Sequence, residues 1–514
     1  ATHAQKAAGP WAAPLAIESA TCGGAPAPFE SALGGWRVSL PEGEAEVELE
    51  VRYSGVLHQD ASGTRFSREA IGGQIDATIG PEGVFLSPGG GWYPSTAGPG
   101  LARFRVEVRM PAGFEAVSEG RRVEREPGRV VHETEIPLDG VHVVAGPWTV
   151  VERAHGAVAL AAYVLEEDRD LAEPYLDDVA RYLELYEGLL GPYPFAKFAV
   201  VEGFFPAGYG MPSFTYLGRD VMRLPFIRAT SLGHEVCHSW WGNGVLVDAS
   251  EGNWCEGLTT YFADHLYEQR RDPAAGRDYR RRTLADFTSY VTEERDLALA
   301  EFRNRHDFAT RAVGYGKGLM VFHMLRMRLG EDAFLGALRR VVKERTGRPT
   351  AWRHFRRAFE EESGADLGWF FEAWVVRPGA PAIRLDEVGV VEGAEPVVRL
   401  ALSATSPVRA LLPVEIRLAE GPPIRRCVDA VLGPEPTGFE WLLPAGARPV
   451  AVAVDPDADA MRALDPEEVP ATLRLAFGAE RLRVVLPAGA SEDMAAAYRR
   501  LARICGLDEA ELAD

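Results

Sequence analysis

The arrangement His234-Glu-Val-Cys-His238 constrains the fold and chemistry of this chain more than any other stretch. Residues four apart lie on one face of a helix, so the two imidazole rings are expected one turn apart and pointing the same way. Two such rings can share a metal ion, and Glu235, at the edge of that face, can accept a proton without binding the metal. The alternative is a buried helix with hydrogen-bonded core histidines, in which Glu235 would be a buried charge without a purpose.

A catalytic zinc site also needs a third protein ligand and an open position. Glu256 is the candidate, because it follows His238 by eighteen residues and lies on a second stretch with helical apolar periodicity. Glu251 is a second candidate, nearer to a predicted loop. In a chain with 11 histidines and 75 acidic residues among 514, a chance His-Glu-x-x-His is expected only about 0.03 times. The pattern therefore indicates a site for one catalytic zinc ion.

The run His-Glu-x-x-His-Ser-Trp-Trp-Gly-Asn, followed by Trp-Cys-Glu-Gly-Leu-Thr-Thr-Tyr, resembles the gluzincin metallopeptidases of the aminopeptidase N and leukotriene hydrolase type. The resemblance implies zinc-dependent peptide hydrolysis, with His234, His238 and Glu256 as the zinc ligands and Glu235 as the proton acceptor. The family usually has eighteen residues between its second histidine and its glutamate ligand. This chain has seventeen, which we interpret as a one-residue deletion in the connecting loop. Asn243, at the end of the first run, is expected either to orient a ligand or to end the helix.

The segment 313–318, Val-Gly-Tyr-Gly-Lys-Gly, resembles the family's Tyr-x-Lys-Gly. That resemblance implies that Tyr315 donates a hydrogen bond to the negative charge that develops on the former carbonyl oxygen. The residues alone do not favour this role, because a tyrosine at the start of a helix is more often part of the core. The two glycines beside Tyr315 allow a close backbone approach and leave the ring unhindered.

The segment 208–213, Gly-Tyr-Gly-Met-Pro-Ser, matches in position the family's Gly-x-Met-Glu-Asn segment, whose backbone pairs with the substrate. The resemblance implies that Tyr209, Gly210 and Met211 bind substrate. Pro212 stands where the family has the glutamate that anchors the substrate's free α-amine, and proline offers neither a charge nor an N–H. Hydrolysis of peptides is expected, but recognition of a free amine is left open.

Length and composition set wider limits. A chain of 514 residues is too long for one core, so several domains are expected. The net charge, 55 − 75 = −20, argues against nucleic acid as a partner. No run of eighteen apolar residues is present, so no transmembrane segment is predicted. The sequence starts at Ala1 rather than Met, so either a leader has been removed or the chain is a fragment; an extracytoplasmic location with a leader removed is favoured over a cytoplasmic one. Cys237 and Cys255 flank the proposed ligands, and either a bridge or two buried thiols is compatible with their positions.

The periodicity of the chain changes twice, which predicts a multidomain α+β protein. Alternating stretches such as 44–53 and 101–110 predict half-buried strands, whereas 168–190 and 311–375 carry helical spacing. The family resemblance adds the expected architecture: an N-terminal β-rich saddle domain, a thermolysin-like α/β catalytic domain and a C-terminal β-sandwich. The predicted divisions are a flexible lead-in at 1–28, an N-terminal β domain at 29–154, a catalytic domain at 155–382, a β-sandwich at 383–460 and a small strand–helix extension at 461–514.

One alternative is a binding or assembly protein that keeps the peptidase fold without catalysis. The loss of the amine anchor favours it, and the retained His-Glu-x-x-His, Glu256 and Tyr315 oppose it. A further alternative is another zinc-assisted hydrolysis, such as the epoxide opening of the leukotriene branch.

Overall fold

The computed structural model of the protein describes residues 13–32, 35–41, 46–61, 75–95, 100–469, 484–485, 489, 491–504 and 512–513. Two compact units are distinguished: residues 1–246 with 342–349, and residues 247–341 with 350–514. Strands and helices are both abundant, and the predicted multidomain α+β class is confirmed.

The first part of unit one is built from antiparallel strands. Its first described strand is Ala13–Cys22, which pairs along its length with Leu49–Val56. The structure therefore differs from the predicted flexible lead-in at residues 13–28, because the partner of this Ala- and Pro-rich stretch lies far along the chain; residues 1–12 lie outside the described residues. The other strands of this part are Ala25–Pro26, Phe29–Ala32, Gly35–Val38, Ala77–Gly80, Gly83–Leu86, Arg105–Arg109, Glu115–Ser118, Arg121–Glu126, Arg129–Glu133 and Val143–Gly146.

For two strands of this part, the bounds predicted from the sequence differ from the observed ones. The alternation at 44–53 predicted one strand, but residues 42–45 lie outside the described residues and the strand is Leu49–Val56. The alternation at 101–110 corresponds to Arg105–Arg109. Both differences fall at strand ends, where pairing partners decide the bounds.

A five-stranded mixed sheet follows in unit one, and it carries the candidate substrate segment at its edge. Its spatial order is Thr149–His155, Val158–Val164, Lys197–Gly203, Phe214–Gly218 and Gly208–Met211. The first two strands form an antiparallel hairpin, so a domain boundary at residue 154 would cut through a paired strand. The last strand, Gly208–Met211, has one neighbour and is named here the edge strand.

Helix Ala172–Leu190 crosses between the second and third strands of this sheet. Its buried positions repeat at three and four residues, as the sequence predicted, and include Tyr175, Val179, Leu183 and Tyr186. The helix ends at Gly191, whose φ of 103° suits glycine.

The helical region follows. It contains three π-helical turns, at Tyr261–His265, Ala312–Lys317 and Glu372–Val376, which are the irregular elements that helical proteins often place at functional sites. The α-helices are Cys255–Thr260, Leu266–Arg271, Pro273–Tyr290, Phe308–Arg311, Gly318–Leu329, Glu331–Arg345, Trp352–Ser363 and Gly368–Phe371.

The C-terminal part of unit two contains two three-stranded antiparallel sheets. One consists of Ile383–Val391, Val397–Ala404 and Thr437–Leu442, and the other of Ile424–Leu432, Val408–Leu418 and Pro449–Val454. Val398 and Ile416, one from each sheet, meet in a common core with Leu443, as expected for a sandwich. The predicted terminal helix is Glu492–Ile504, and short strands lie at Val484–Val485 and Leu512–Ala513.

Among the described residues, no helix has both the length and the apolar character needed to cross a bilayer.

Candidate metal centre

Helix Ser231–Cys237, named here the histidine helix, presents the two predicted histidines. The sequence pattern predicts a helix that starts near residue 226 and stops at Gly242. The observed helix is shorter, because a short 3-10 turn at Ile227–Ala229 precedes it and His238 forms its C-cap. The N–H of His238 still donates to His234 O at 3.2 Å, so the two residues keep helical spacing. Their rings lie 4.9 Å apart between centroids at an interplanar angle of 75°. Both rings therefore lie on one face.

Two backbone contacts after the helix fix the orientation of His238. Its Nδ1 lies 3.0 Å from Trp241 O, and donation to that carbonyl leaves Nε2 as the ligand atom. The N–H of Asn243 donates to His238 O at 3.1 Å. The sequence did not identify Trp241 O as a partner, because a backbone carbonyl carries no side-chain signal.

Glu256 lies in the first turn of helix Cys255–Thr260. The start of that helix is fixed by Trp254, which is buried and donates its indole N–H to Thr350 O at 2.6 Å. Gly257, the residue after Glu256, packs directly on another helix: a Cβ atom added at position 257 would lie 2.7 Å from the Cα of Gly318. A side chain at position 257 would push these helices apart, so the glycine is a requirement of the packing.

His234, His238 and Glu256 each offer a ligand atom, and these atoms all lie within 4.8 Å of one another. All three residues are half-buried. Two imidazoles with one carboxylate form the donor set of catalytic zinc sites, which keep a fourth position open. The chemistry and the spacing of these residues thus fit one such ion. Glu251 belongs elsewhere: it accepts from the N–H of Arg353 at 3.0 Å and forms an ion pair with that guanidinium.

Glu235 faces the edge strand. A Cβ atom added at Gly210 would lie 2.7 Å from Glu235 Oε2 and 3.2 Å from the Cβ of His238. Glycine at position 210 therefore allows the strand backbone to approach the proposed proton acceptor. Asn243 Nδ2 also donates to Gly210 O at 3.2 Å, so this side chain connects the end of the histidine helix to the edge strand.

The three residues predicted to bind substrate occupy different environments on the edge strand. Tyr209 is half-buried and packs its ring 5.8 Å from that of Phe85. Met211 is buried in the same core cluster. In a pair of antiparallel strands, residues whose backbone groups bond to the partner strand alternate with residues whose backbone groups point away from it. The N–H of Gly218 donates to Ala207 O at 2.7 Å, so residue 207 bonds to the partner strand. The backbone groups of residues 208 and 210 therefore face the open edge of the sheet.

Tyr315 lies in the π-helical turn Ala312–Lys317 beside Glu256. Burial, and then the negative charge of Glu256, raise the pKa of Tyr315 well above that of a free tyrosine. The hydroxyl therefore stays protonated at neutral pH and can donate. Gly314 is required by packing, since a Cβ atom there would meet the ring of Phe302 at 2.1 Å.

Cys237 and Cys255 are not joined in a disulfide, and both are buried thiols. The sequence was compatible with either a disulfide bridge or two buried thiols, and the structure has two buried thiols.

Comparison with known proteins assigns the family. Residues 228–374 match the peptidase family M1 domain. This part of the chain is a peptidase family M1 domain, and solved structures that share the fold of the chain are M1 zinc metallopeptidases. The family predicted from the sequence is thereby confirmed.

Individual M1 relatives are distant. The chain is 22% identical over 255 residues to tricorn protease-interacting factor F2 of Thermoplasma volcanium, covering 44% of this chain and 31% of that protein. It is 25% identical over 167 residues to aminopeptidase N of Lactococcus lactis, covering 31% of this chain and 20% of that enzyme. The chain thus spans less than half the length of these curated relatives.

Among solved structures, the M1 zinc metallopeptidase of Deinococcus radiodurans superposes with a TM-score of 0.54 at 20% identity, covering 70% of this chain and 84% of the other. This likeness shows that the M1 fold is shared. Zinc is the metal that the family implies, and the donor set of His234, His238 and Glu256 fits it.

Proposed function

We propose that this M1 protein hydrolyses peptide bonds with one zinc ion held by His234, His238 and Glu256. The observation that carries the proposal is the convergence of three ligand atoms within 4.8 Å of one another, next to a carboxylate that is not part of the set. When bound, zinc would supply Lewis-acid polarisation and lower the pKa of a water molecule.

Two further side chains would complete the reaction. Glu235 takes a proton from the attacking water and passes it to the leaving amine, as its place on the adjacent edge of the histidine face allows. Tyr315 donates its hydroxyl proton in a hydrogen bond to the developing oxyanion, and its raised pKa keeps that proton in place. Tyr315 also lies next to Glu256, which supports its role as the donor.

The proposed substrate is an extended peptide that adds a strand to the open edge formed by residues 208–211. Backbone pairing of this kind tolerates many side chains, because the bonds run between main chains. A related Deinococcus radiodurans enzyme has been solved with a Tyr-Ser-Ala substrate, which supports short peptides as first probes.

Pro212 follows the edge strand and brings no negative charge to the end of that peptide. Glu202, the nearest upstream acid in sequence, accepts from the N–H of Leu165 at 2.7 Å and lies 3.4 Å from the Nε of Arg219. Its carboxylate is therefore engaged by the backbone of Leu165 and the guanidinium of Arg219. We expect weaker discrimination between free and blocked amino termini than an acidic side chain at position 212 would give.

The test uses three fluorogenic probes: leucyl-aminomethylcoumarin, its N-acetyl counterpart and an internally quenched octapeptide. Wild-type protein loaded with zinc should cleave at least one of them. Glu235→Gln should retain zinc and lose turnover by about 10²–10⁴-fold, the usual contribution of a general base. Glu251→Gln is the matched control, because it makes the same change at a carboxylate that contacts Arg353, and it should leave turnover unchanged.

Two outcomes would contradict the proposal. Turnover unchanged in Glu235→Gln would remove the assigned role. Bound zinc without cleavage of any probe would favour the alternative, a binding protein that keeps the M1 fold.

A further inference from the structure

The turn that ends the edge strand has an unusual conformation. Met211 pairs with Phe214, which leaves Pro212 and Ser213 as a two-residue hairpin loop. Ser213 has a φ of 72°, and proline holds φ near −65°. A negative φ followed by a positive φ is the pattern of a type II turn, whose second position normally takes glycine or asparagine. Two-residue hairpins prefer types I′ and II′, because those turns match the twist of the strands.

This unfavourable turn is held by contacts from outside the hairpin. The ammonium of Lys197 lies 2.7 Å from Ser213 Oγ and 3.3 Å from Ser213 O. The N–H of Gly120 donates to Ser213 Oγ at 3.0 Å, and the N–H of Ala199 donates to Ser213 O at 3.1 Å. The side-chain and carbonyl oxygens of Ser213 are therefore both fixed by two donors each.

Burial of the charged side chain of Lys197 is unfavourable, which a purely structural role does not explain. It is only 6% exposed, and its direct oxygen partners are neutral groups of Ser213. Burial lowers the pKa of Lys197 to about 7, although the charges of Glu119 and Glu135 oppose that shift. A buried ammonium with neutral partners is unfavourable relative to an apolar side chain. Its position at the first residue of a strand that is buried along its whole length thus calls for another explanation.

The explanation lies in the edge strand itself, next to this turn. Gly210 is two residues before Pro212, and its Cα approaches Glu235 closely enough that a methyl group would touch the carboxylate. Asn243 holds Gly210 O from the segment that follows the histidine helix, and Lys197 holds the turn from strand Lys197–Gly203, which lies two strands from the edge. Together the two contacts set how the strand lies over Glu235.

We infer that Lys197 is a positioning residue: by fixing Ser213 in its left-handed conformation, it holds the edge strand at the height over Glu235 at which an extended peptide pairs with it. This inference rests on the proposed peptidase function. Lys197 touches neither the substrate nor the metal, and it acts through the strand.

The kinetic test separates positioning from folding. Because strand pairing is made equally in the ground and transition states, its disturbance raises KM more than it lowers kcat. Lys197→Met should raise KM for the octapeptide at least fivefold with kcat changed less than twofold. Lys343→Met, at an exposed lysine, is the control and should change neither constant. In the double variant Lys197→Met/Ser213→Gly, glycine adopts the positive φ without strain, so KM should return toward the wild-type value.

A second pair of variants leaves Lys197 in place, so it decides the matter even if Lys197→Met does not fold. Ser213→Ala and Ser213→Gly both remove the hydroxyl, but only alanine keeps the strain of a positive φ. Ser213→Ala should raise KM at least threefold, and Ser213→Gly should stay within twofold of wild type. Equal KM values for the two, or a Lys197→Met protein with lowered Tm and unchanged KM, would overturn the inference.

A readout independent of cleavage distinguishes this inference from the proposed function. Amide hydrogen exchange of the segment 208–214, measured on the zinc-loaded full chain, should accelerate at least tenfold in Lys197→Met and Ser213→Ala with unchanged zinc content. If no probe is cleaved but exchange responds in this way, the peptidase proposal fails and the role of Lys197 in fixing the strand stands. If exchange does not change in either variant, the positioning role is refuted whatever the activity.

Discussion

The histidine helix, which carries Glu235, and the edge strand, which faces Glu235, are held in place in different ways. The histidine helix places its ligands by local geometry, because His234 and His238 are one helical turn apart. The edge strand is placed by distant residues: Asn243 holds Gly210 O, and Lys197 and Gly120 hold Ser213. The two histidines of the metal side are thus encoded in a short stretch of sequence, whereas Glu256 and the proposed substrate side depend on tertiary contacts.

This difference has a consequence for function. A substitution at a metal ligand or a catalytic group should affect the chemical step, whereas a substitution near the edge strand should affect how peptides bind. The first prediction below tests this division directly, the second tests the close approach of the edge strand to Glu235, and the third tests the burial of Lys197.

The largest effect is expected for Tyr315→Phe. Removing a hydroxyl that stabilises the developing oxyanion should lower kcat by about 10²–10³-fold, with KM changed little. Zinc content should remain that of wild type, because Tyr315 is not a ligand. Tyr498→Phe, at an exposed tyrosine, is the control. A rise in KM with an unchanged kcat would move Tyr315 from the chemical step to substrate binding.

A smaller effect is expected for Gly210→Ala, compared with Gly208→Ala on the same strand. The new methyl group at position 210 would lie 2.7 Å from Glu235 Oε2, whereas at position 208 the nearest atom, in Leu217, is 3.7 Å away. Gly210→Ala should lower kcat/KM at least tenfold, and Gly208→Ala less than threefold. Similar losses in both variants would show that the close approach to Glu235 does not matter.

The last prediction concerns stability rather than turnover. Lys197 has a folded-state pKa of about 7, below the value of about 10.4 for an unfolded chain. Between these values the unfolded state binds the additional proton, so this group makes the folded state more stable as the pH rises, by at most about 1.4 kcal/mol per pH unit. The Tm difference between wild type and Lys197→Met should therefore shift in favour of wild type from pH 7 to pH 10. If the Tm of wild type and of Lys197→Met changed in parallel with pH, the lowered pKa of Lys197 would be contradicted.

Much of this architecture follows from the sequence. The fold class and the family were predicted correctly, because period-two strands, period-3.6 helices and the motif around His234 are local signals. The helix Ala172–Leu190 and the terminal helix Glu492–Ile504 were also located by their spacing. Element ends were less accurate, as for the shortened histidine helix, because caps and tertiary contacts decide where a helix stops.

Other features had no local signal. The strand Ala13–Cys22 is paired with Leu49–Val56, and its Ala-rich letters resemble a disordered segment until that partner is known. Lys197 stands at the start of an apolar strand, and its relation to Ser213 depends on strand pairing across the sheet. A lysine at such a position could have been noted as anomalous, but its partner could not have been named.

The central claim, that His234, His238 and Glu256 hold one zinc ion, is tested most directly by zinc content after removal of metal and reconstitution. Measured by mass spectrometry of the metal, wild type and Glu235→Gln should each bind one zinc per chain. Glu251→Ala, which removes a carboxylate engaged by Arg353, should do the same. Glu256→Ala should lose at least 10²-fold in zinc affinity, because it removes a ligand. Full zinc binding by Glu256→Ala, or its loss in Glu251→Ala, would contradict the account.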